Sequence, residues 1–147
     1  MKTDLVSTGY IIWNDKVLLV HHHKLDLWLP VGGHMEKDET PDDTMIREAK
    51  EETNLNIELL GASDIPVEGN TVRNLATPFY VNVHNVKDHH HCSFFYVCRP
   101  LNPTEMKINA ELRDAKWFSK KDLAHTDVPP DVRSIAMRAF ALYEKLK

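Results

Sequence analysis

The sequence predicts one domain of the α/β (α+β) class that covers residues 1–147. Its 147 residues are 42% hydrophobic and 27% charged, which is typical of an ordinary globular domain. Segments with the composition of strands intermix along the chain with two segments of helical periodicity. No internal repeat, low-complexity tract or linker divides the chain, so we expect all elements to share one core.

The N-terminal residues predict a β-hairpin. Val6 to Trp13 and Lys16 to Val20 have the composition of strands, and Asn14-Asp15 between them suits a tight turn. One proline and two glycines within Leu29 to Gly33 then predict a loop.

A helix is predicted from Pro41 to about Thr53. Thr40 is a favourable N-cap, Pro41 suits the first helical position, and Asp43 completes a capping-box pattern. Asn54 suits the left-handed residue that ends a helix. Both ends of this helix are therefore marked by local signals.

The rest of the chain predicts four more strands, a long loop and a C-terminal helix. Ser119 is expected to cap a short helical turn, with Asp122 three residues later. Apolar residues at helical spacing make Pro129 to Lys147 an amphipathic helix. The strands are predicted at Leu55–Leu60, Pro78–Val86, His90–Leu101 and Asp114–Ser119, with the loop at residues 62–77.

Charge and hydropathy argue against several classes of partner. The formal net charge is −4, so there is no basic footprint for duplex nucleic acid. No run of 18 apolar residues exists, which argues against a membrane span, and the first residues lack the features of a secretory signal. We therefore expect a cytoplasmic protein that has no membrane partner. Its oligomeric state, monomer or homodimer, stays open.

Cys92 and Cys98 are the only cysteines. Six residues of strand separate them by about 20 Å, which is too far for a disulfide. Both fall on the same face of the predicted strand, where we expect free thiols.

Three carboxylates lie on one side of the predicted helix. At 100° per residue, Glu48, Glu51 and Glu52 occupy a sector of about 100°. Ile46, Ala49 and Thr53 form a second, narrow face that we expect to pack on the core. One interpretation of the carboxylates is a solvated acidic face, eased by neighbouring cations.

A second interpretation is a site for a divalent cation. Glu48 and Glu52 are like charges four residues apart, an arrangement that costs about 0.2–0.5 kcal/mol. They also lie near the helix C-terminus, where the helix dipole disfavours anions. Carboxylate oxygens are hard ligands that suit Mg²⁺ or Mn²⁺.

The spacing around this helix resembles the Nudix box, Gly-x5-Glu-x7-Arg-Glu-U-x-Glu-Glu-x-Gly-U, in which U is aliphatic. Gly33, Glu39 and the run from Arg47 to Leu55 fill six of its seven fixed positions. Asn54 replaces the last glycine, and Val31 stands where many members of the family have proline. Trp28 and the stretch "DAKWFSKKDL" resemble further family features. The resemblance implies an α/β/α sandwich with a mixed sheet, the box helix and a C-terminal helix.

The resemblance also implies an activity. Family members of this type are pyrophosphohydrolases that cleave a nucleoside diphosphate linked to another group, with Mg²⁺ or Mn²⁺ as the cofactor. It implies that Glu48, Glu51, Glu52 and the backbone carbonyl of Gly32 hold the metal, and that Glu48 activates the attacking water. The expected partner is a small nucleoside diphosphate derivative.

Other residues receive supporting roles from the same resemblance. Arg47 and Glu39 are expected to orient the carboxylates, next to Gly33. Glu111, six residues before Trp117, is either a fourth ligand, the general base or an exposed loop acid. His34 and Arg73 are candidates for contacting a substrate phosphate.

Two histidine triplets, residues 21–23 and 89–91, attract attention in the sequence. Consecutive strand residues point to opposite faces, so neither triplet is expected to supply three ligands to one metal.

Two alternative functions differ from hydrolysis in the residues that they require. A nucleotide-binding module of this fold usually lacks box carboxylates, and an isopentenyl diphosphate isomerase requires a cysteine facing the site.

Overall fold

A long N-terminal strand organises the fold, which we describe from a computed structural model of all 147 residues, Met1–Lys147. Two 3₁₀ turns, Pro103–Glu105 and Asp122–Ala124, accompany eight strands and two α-helices. The strands are β1 (Thr3–Trp13), β2 (Lys16–His22), β3 (Trp28–Leu29), β4 (Val31–His34), β5 (Ile57–Leu59), β6 (Tyr80–Val86), β7 (His89–Pro100) and β8 (Leu112–Phe118), and the helices are α1 (Pro41–Thr53) and α2 (Pro130–Leu146).

β1 pairs on both of its edges and therefore joins two groups of strands. It runs parallel to β7 from Thr3 to Ile11 and antiparallel to β4 from Val6 to Gly9. Its last residues pair with β2, which also pairs with β3 and β8. β7 pairs with β5 and β6 on its other side. The mixed sheet that the family resemblance implies is therefore confirmed.

Alternation along β1 divides the core into two layers. Tyr10 and Ile12 belong to a buried cluster with α2 residues such as Phe140. Ile11 belongs to a second buried cluster with Met45 and other residues of α1. The sheet is therefore packed between two helices, as the resemblance implies. Neither helix has the length and apolar character needed to cross a membrane.

The predicted bounds of α1 are confirmed, and the capping residues account for them. The N–H of Asp43 donates to Thr40 Oγ1 at 3.2 Å, and the N–H of Thr40 donates to Asp43 Oδ2 at 3.0 Å. Asn54 has a φ of 63°, and its N–H donates to the carbonyl of Lys50. Asparagine therefore replaces the family's glycine at the helix end without loss of the turn.

The packing face of α1 differs in part from the prediction. Ala49 and Thr53 are buried as expected, but Ile46 is 47% exposed, and Met45 takes its place against the core. Glu52 is also buried, at 6% exposure. Gly9 on β1 explains this rotation, since a β-carbon there would overlap the Met45 side chain.

The predicted loop at Leu29 to Gly33 is instead mostly strand, because its glycines extend the sheet. Gly32 and Gly33 pair with Thr8 and Ser7 of β1. A β-carbon at Gly32 would collide with the carbonyl oxygen of Ser7, so glycine permits the close approach of β4 to β1.

Both cysteines are free, as predicted.

Candidate active site

The C-terminal half of α1 packs directly against the two glycines of β4. A β-carbon at Gly33 would overlap the carboxylate of Glu48. The backbone of Gly32 lies close enough to Glu52 to lower its pKa by hydrogen bonding. Glycine at position 33 therefore allows the carboxylate of Glu48 to reach the backbone of β4.

Arg47 connects the loop before α1 to the carboxylates of the helix. Its Nε and Nη2 donate to both oxygens of Glu39, at 2.7 and 3.0 Å. Its Nη1 donates to Glu48 at 2.8 Å and to Glu51 at 3.2 Å. Nη2 also donates to the backbone carbonyl of His34 at 3.0 Å. One planar guanidinium thus fixes three glutamates and the end of β4.

Glu39 is the anchor of this network. Hydrogen bonds from Arg47 contribute most to lowering its pKa to about 2, followed by the N–H of Glu36. Thr44 Oγ1 adds a further hydrogen bond of 2.9 Å. Glu39 therefore stays ionised and holds Arg47 in one orientation.

Glu52 is a buried carboxylate with incomplete hydrogen bonding. Its Oε1 is inaccessible to solvent and has no hydrogen-bond partner. Burial raises its pKa to about 8, and the neighbouring charge of Glu48 adds to the effect. A buried, unpartnered carboxylate is costly, and either a proton or a bound cation removes the cost.

Glu48 and Glu51 lie beside Glu52 but differ in environment. Burial is the main reason that the pKa of Glu48 is raised, while Arg47 opposes the shift. Glu51 is more than half exposed and reaches solvent. The helix therefore presents carboxylates from its buried side to its exposed side.

The loop before β8 brings Glu111 to this cluster. The charge of Glu111 raises the pKa of both Glu48 and Glu52, which places its carboxylate near theirs. The loop is tied to the end of α1 by two backbone bonds, from Lys107 N–H to Thr53 O at 2.9 Å and from Asn109 N–H to Glu52 O at 3.1 Å.

Asn109 is a positioning residue that the sequence reasoning missed. Its Nδ2 donates to the carbonyl of Glu51 at 3.1 Å, and its Oδ1 accepts from the N–H of Glu111 at 3.0 Å. The sequence does contain a pattern that predicts the bond to Glu111, because asparagine often hydrogen-bonds the backbone two residues further along. The side chain of Asn109 therefore links Glu111 to the end of the box helix.

The donor set fits a hard divalent cation. It consists of carboxylate oxygens, which are ligands suited to Mg²⁺ or Mn²⁺. The unpartnered Oε1 of Glu52 is buried, and the charge of Glu48 acts on the same carboxylate. These carboxylates do not all lie within 4.8 Å of one another.

A cavity of about 510 Å³ lies on the other side of the two glycines. Its walls are largely apolar and come from β1, β6, β7, α2 and the segment between β2 and β4. The buried hydroxyl of Tyr10 has no hydrogen-bond partner, and Tyr10 lines this cavity. Gly32, Gly33 and His34 form the edge nearest to the carboxylates.

The two predicted phosphate-binding residues lie in different places. His34 borders the cavity and is close to the carboxylate cluster through its backbone. Arg73 is 3.6 Å from Asp43 at the start of α1, at the opposite end of the helix from Glu52. Neither cysteine lines the cavity, and Cys98 is fully buried against α1.

A profile of the NUDIX domain family matches residues 3–138 of the chain. The chain therefore belongs to the NUDIX domain family, whose members are generally pyrophosphohydrolases that use divalent metals. A search among curated protein sequences finds no match.

Solved structures agree with this assignment. A NUDIX-family hydrolase from Clostridium perfringens is 30% identical, with a TM-score of 0.85 over 97% of this chain and 99% of that chain. A MutT NUDIX hydrolase from Burkholderia pseudomallei is 16% identical, with a TM-score of 0.72 over 95% and 98%. A MutT protein from Methanosarcina mazei Go1 is 15% identical, with a TM-score of 0.73 over 97% and 96%. The last two share the fold.

Proposed function

We propose that this protein is a Mg²⁺- or Mn²⁺-dependent pyrophosphohydrolase that cleaves a nucleoside diphosphate linked to another group. The observation that carries the proposal is Glu52, a buried carboxylate with an unpartnered oxygen and a pKa raised to about 8. A purely structural acid at this position would be expected to have a hydrogen-bond donor.

Glu48, Glu51, Glu52 and the carbonyl of Gly32 are the proposed metal ligands. When bound, the ion supplies Lewis-acid stabilisation of the diphosphate and lowers the pKa of a coordinated water. Nη1 of Arg47 donates to both Glu48 and Glu51 and so offsets the repulsion between the two carboxylates. Glu39 in turn prevents Arg47 from rotating away.

Two carboxylates are placed to take the proton from the attacking water. Arg47 occupies Oε1 of Glu48, which leaves Oε2 for a ligand or a water molecule. Glu111 is exposed and belongs to a loop that Asn109 fixes to α1. We assign the function of general base to either Glu48 or Glu111. The turnover of variants at these two positions distinguishes the two assignments.

The cavity beside Gly32 and Gly33 is the proposed site for the nucleoside. Its apolar walls suit a base or a sugar face, and Tyr10 offers a buried hydroxyl for one specific hydrogen bond. The diphosphate would then extend across the two glycines toward Glu52. Of the two candidates for contacting phosphate, His34 lies on the same edge with its backbone toward Arg47, whereas Arg73 lies at the far end of α1 and is not part of this site.

The experiment is a panel of nucleoside triphosphates and nucleoside diphosphate sugars, assayed for release of phosphate or pyrophosphate with Mg²⁺ or Mn²⁺. Glu52→Gln should lose at least about 100-fold in turnover because it removes a ligand charge. Glu58→Gln, on β5 and paired with Arg99, is the matched control and should retain activity. Nucleotide binding without cleavage by the wild type would instead indicate a binding module.

A further inference from the structure

A second group of metal-ligating side chains lies on the α2 face of the sheet. Asp4, His34, His89 and His91 each offer one ligand atom, and these four atoms all lie within 4.8 Å of one another. We refer to these four residues as the histidine cluster. Its donors are three imidazoles and one carboxylate, whereas the box site contains no histidine.

Strand pairing explains why the histidine cluster forms. Asp4 of β1 is directly opposite His91 of β7, and His89 is two residues away on the same face of β7. His34 of β4 is opposite Val6, which is two residues from Asp4 on the same face of β1. His90 lies between His89 and His91 but points to the other face.

Only part of the histidine triplet at residues 89–91 therefore contributes to the cluster. Three consecutive histidines do not converge, as expected, but alternate members of the triplet do, and other strands complete the set. The sequence alone does not reveal this, because the parallel register of β1 and β7 brings together residues 87 positions apart (Asp4 and His91).

Three of the six separations between the ligand atoms are close to those around a small tetrahedral ion. His34 Nε2 and His89 Nε2 each lie 3.5 Å from Asp4 Oδ2. His89 Nε2 and His91 Nε2 are 3.2 Å apart. A tetrahedral Zn²⁺ ion, with ligand bonds of about 2.0–2.2 Å, holds its ligand atoms about 3.3 Å apart.

We propose that Asp4, His34, His89 and His91 bind one Zn²⁺ ion, separately from the cation of the box site. Imidazole is a ligand of Zn²⁺ and of neighbouring transition metals, whereas Mg²⁺ prefers oxygen ligands alone. His89 has the outer partner typical of a zinc ligand, since its Nδ1 is 3.0 Å from Asp88 Oδ1 while Nε2 faces the cluster.

Simple ion pairing among these residues does not account for the arrangement. One carboxylate, Asp4, faces both His34 and His89. The facing nitrogens of His89 and His91 can share only one hydrogen between them. A single divalent ion satisfies all three imidazoles and the carboxylate together.

The proposed zinc would connect three strands at the edge of the nucleoside cavity. It would join β1, β4 and β7, and both His34 and His91 line the cavity. His34 also accepts the hydrogen bond from Arg47 through its backbone carbonyl. The ion would therefore stabilise the strand that carries Gly32 and Gly33, and zinc binding should raise the melting temperature.

The test uses full-length protein without an affinity tag, stripped of metal by a chelator. Titration with Co²⁺, read by visible absorption, should give one equivalent with the intense bands of tetrahedral Co²⁺, which Zn²⁺ then displaces. Calorimetry with Zn²⁺ should show that His91→Ala weakens binding by at least about 100-fold, more than the 10–100-fold typical of losing an outer partner.

His90→Ala is the matched control, because His90 belongs to the same triplet but faces the other side of the sheet. It should bind Zn²⁺ like the wild type, as should Glu52→Gln, which alters only the box site. Asp4→Asn, which keeps the shape of the side chain, should weaken binding with its circular dichroism spectrum unchanged.

Two results would overturn the proposal. One is equal Zn²⁺ affinity in His90→Ala and His91→Ala. The other is loss of the tetrahedral Co²⁺ spectrum in Glu52→Gln with retention in His91→Ala, which would assign the ion to the box carboxylates.

Discussion

The α-carbon of Gly33 lies so close to the carboxylate of Glu48 that a β-carbon at position 33 would overlap it. The contact joins β4 to the second half of α1, and it fixes how far Glu48 projects toward the cavity edge. Gly33→Ala should therefore displace Glu48 and lower turnover by at least about tenfold, since small misplacements of catalytic groups are expensive. Steady-state kinetics with Mg²⁺ measure the change.

Gly32→Ala provides the contrasting variant. A β-carbon there meets the backbone carbonyl of Ser7, which cannot move without breaking the β1–β4 pairing. We expect this variant to lose about 1–3 kcal/mol of stability, typical of overpacking, while Gly33→Ala loses less because a side chain can yield. Equal losses of stability in Gly32→Ala and Gly33→Ala, measured by urea denaturation, would contradict this prediction. They would show that the Glu48 side chain does not yield to a β-carbon at position 33.

Glu52→Gln should alter the pH dependence of stability in metal-free protein. The pKa of Glu52 is raised from 4.5 to about 8 by burial, so the folded state holds a proton that the unfolded state releases above about pH 4.5. Glu52 therefore destabilises the wild type progressively as pH rises from about 4.5 to 8. Glutamine cannot ionise, so the variant should gain stability relative to the wild type across this range.

Glu51→Gln is the control for that comparison, because Glu51 is largely exposed on the same helix. This substitution removes an exposed carboxylate and no buried one, so it should not reproduce the gain in stability expected of Glu52→Gln. Urea denaturation in the presence of a chelator at several pH values gives both curves. A constant difference between Glu52→Gln and the wild type would contradict the assignment of a buried, protonated Glu52.

Local signals predicted the frame of the site correctly, and long-range packing determined the rest. Thr40, Asp43 and Asn54 mark both ends of α1 through bonds within a few residues. The burial of Glu52 depends on β4 lying over it, which no pattern inside the helix reveals. The rotation that exposes Ile46 has the same origin, since Gly9 on another strand makes room for Met45.

The same division applies to the residues around the helix. Glu111 was placed near the box by the family's spacing, and the structure brings its charge close to Glu48 and Glu52. The path of the loop 62–77 could not be predicted because this loop has no regular secondary structure. The loop carries Arg73 to the N-terminal end of α1. Residues tied by local hydrogen bonds were thus more predictable than residues placed by loops.

Glu39→Gln should reduce stability at neutral pH and much less in strong acid. Hydrogen bonds from Arg47 are the main reason that the pKa of Glu39 falls from 4.5 to about 2. A carboxyl with a lowered pKa stabilises the fold above its unfolded value, and the contribution is lost as pH falls through the folded value. The difference from the wild type should therefore shrink between about pH 4.5 and 2.

Asp38→Asn tests whether that effect belongs to Glu39, because Asp38 is the adjacent, exposed acid. Asp38 is not among the partners of Arg47, so this variant should not reproduce the loss of stability expected of Glu39→Gln. Glu39→Gln should also lower turnover, since Arg47 loses its anchor. A difference that grows in acid would contradict the proposed network.

Asn109→Ala should lower turnover through Glu111 if Glu111 acts on the attacking water. The Asn109 side chain bonds both the Glu111 N–H and the Glu51 carbonyl, so its loss frees the loop. Turnover should fall while KM changes little. In a Glu111→Gln background the same substitution should cost little more, because the two residues act as one unit. Additive losses in this double-mutant cycle would show that Asn109 supports α1 alone.

Tyr10→Phe tests the cavity as the nucleoside site. The Tyr10 hydroxyl is buried and unpartnered, an arrangement that costs about 1–3 kcal/mol. Removing it should leave the ligand-free protein as stable as the wild type or more so, as measured by thermal unfolding. If a bound nucleotide uses this hydroxyl, the variant should bind it at least about fivefold more weakly by calorimetry. Tyr80→Phe, at an exposed position on β6, should change neither quantity. Unchanged nucleotide affinity in Tyr10→Phe would remove this hydroxyl from the recognition of the substrate.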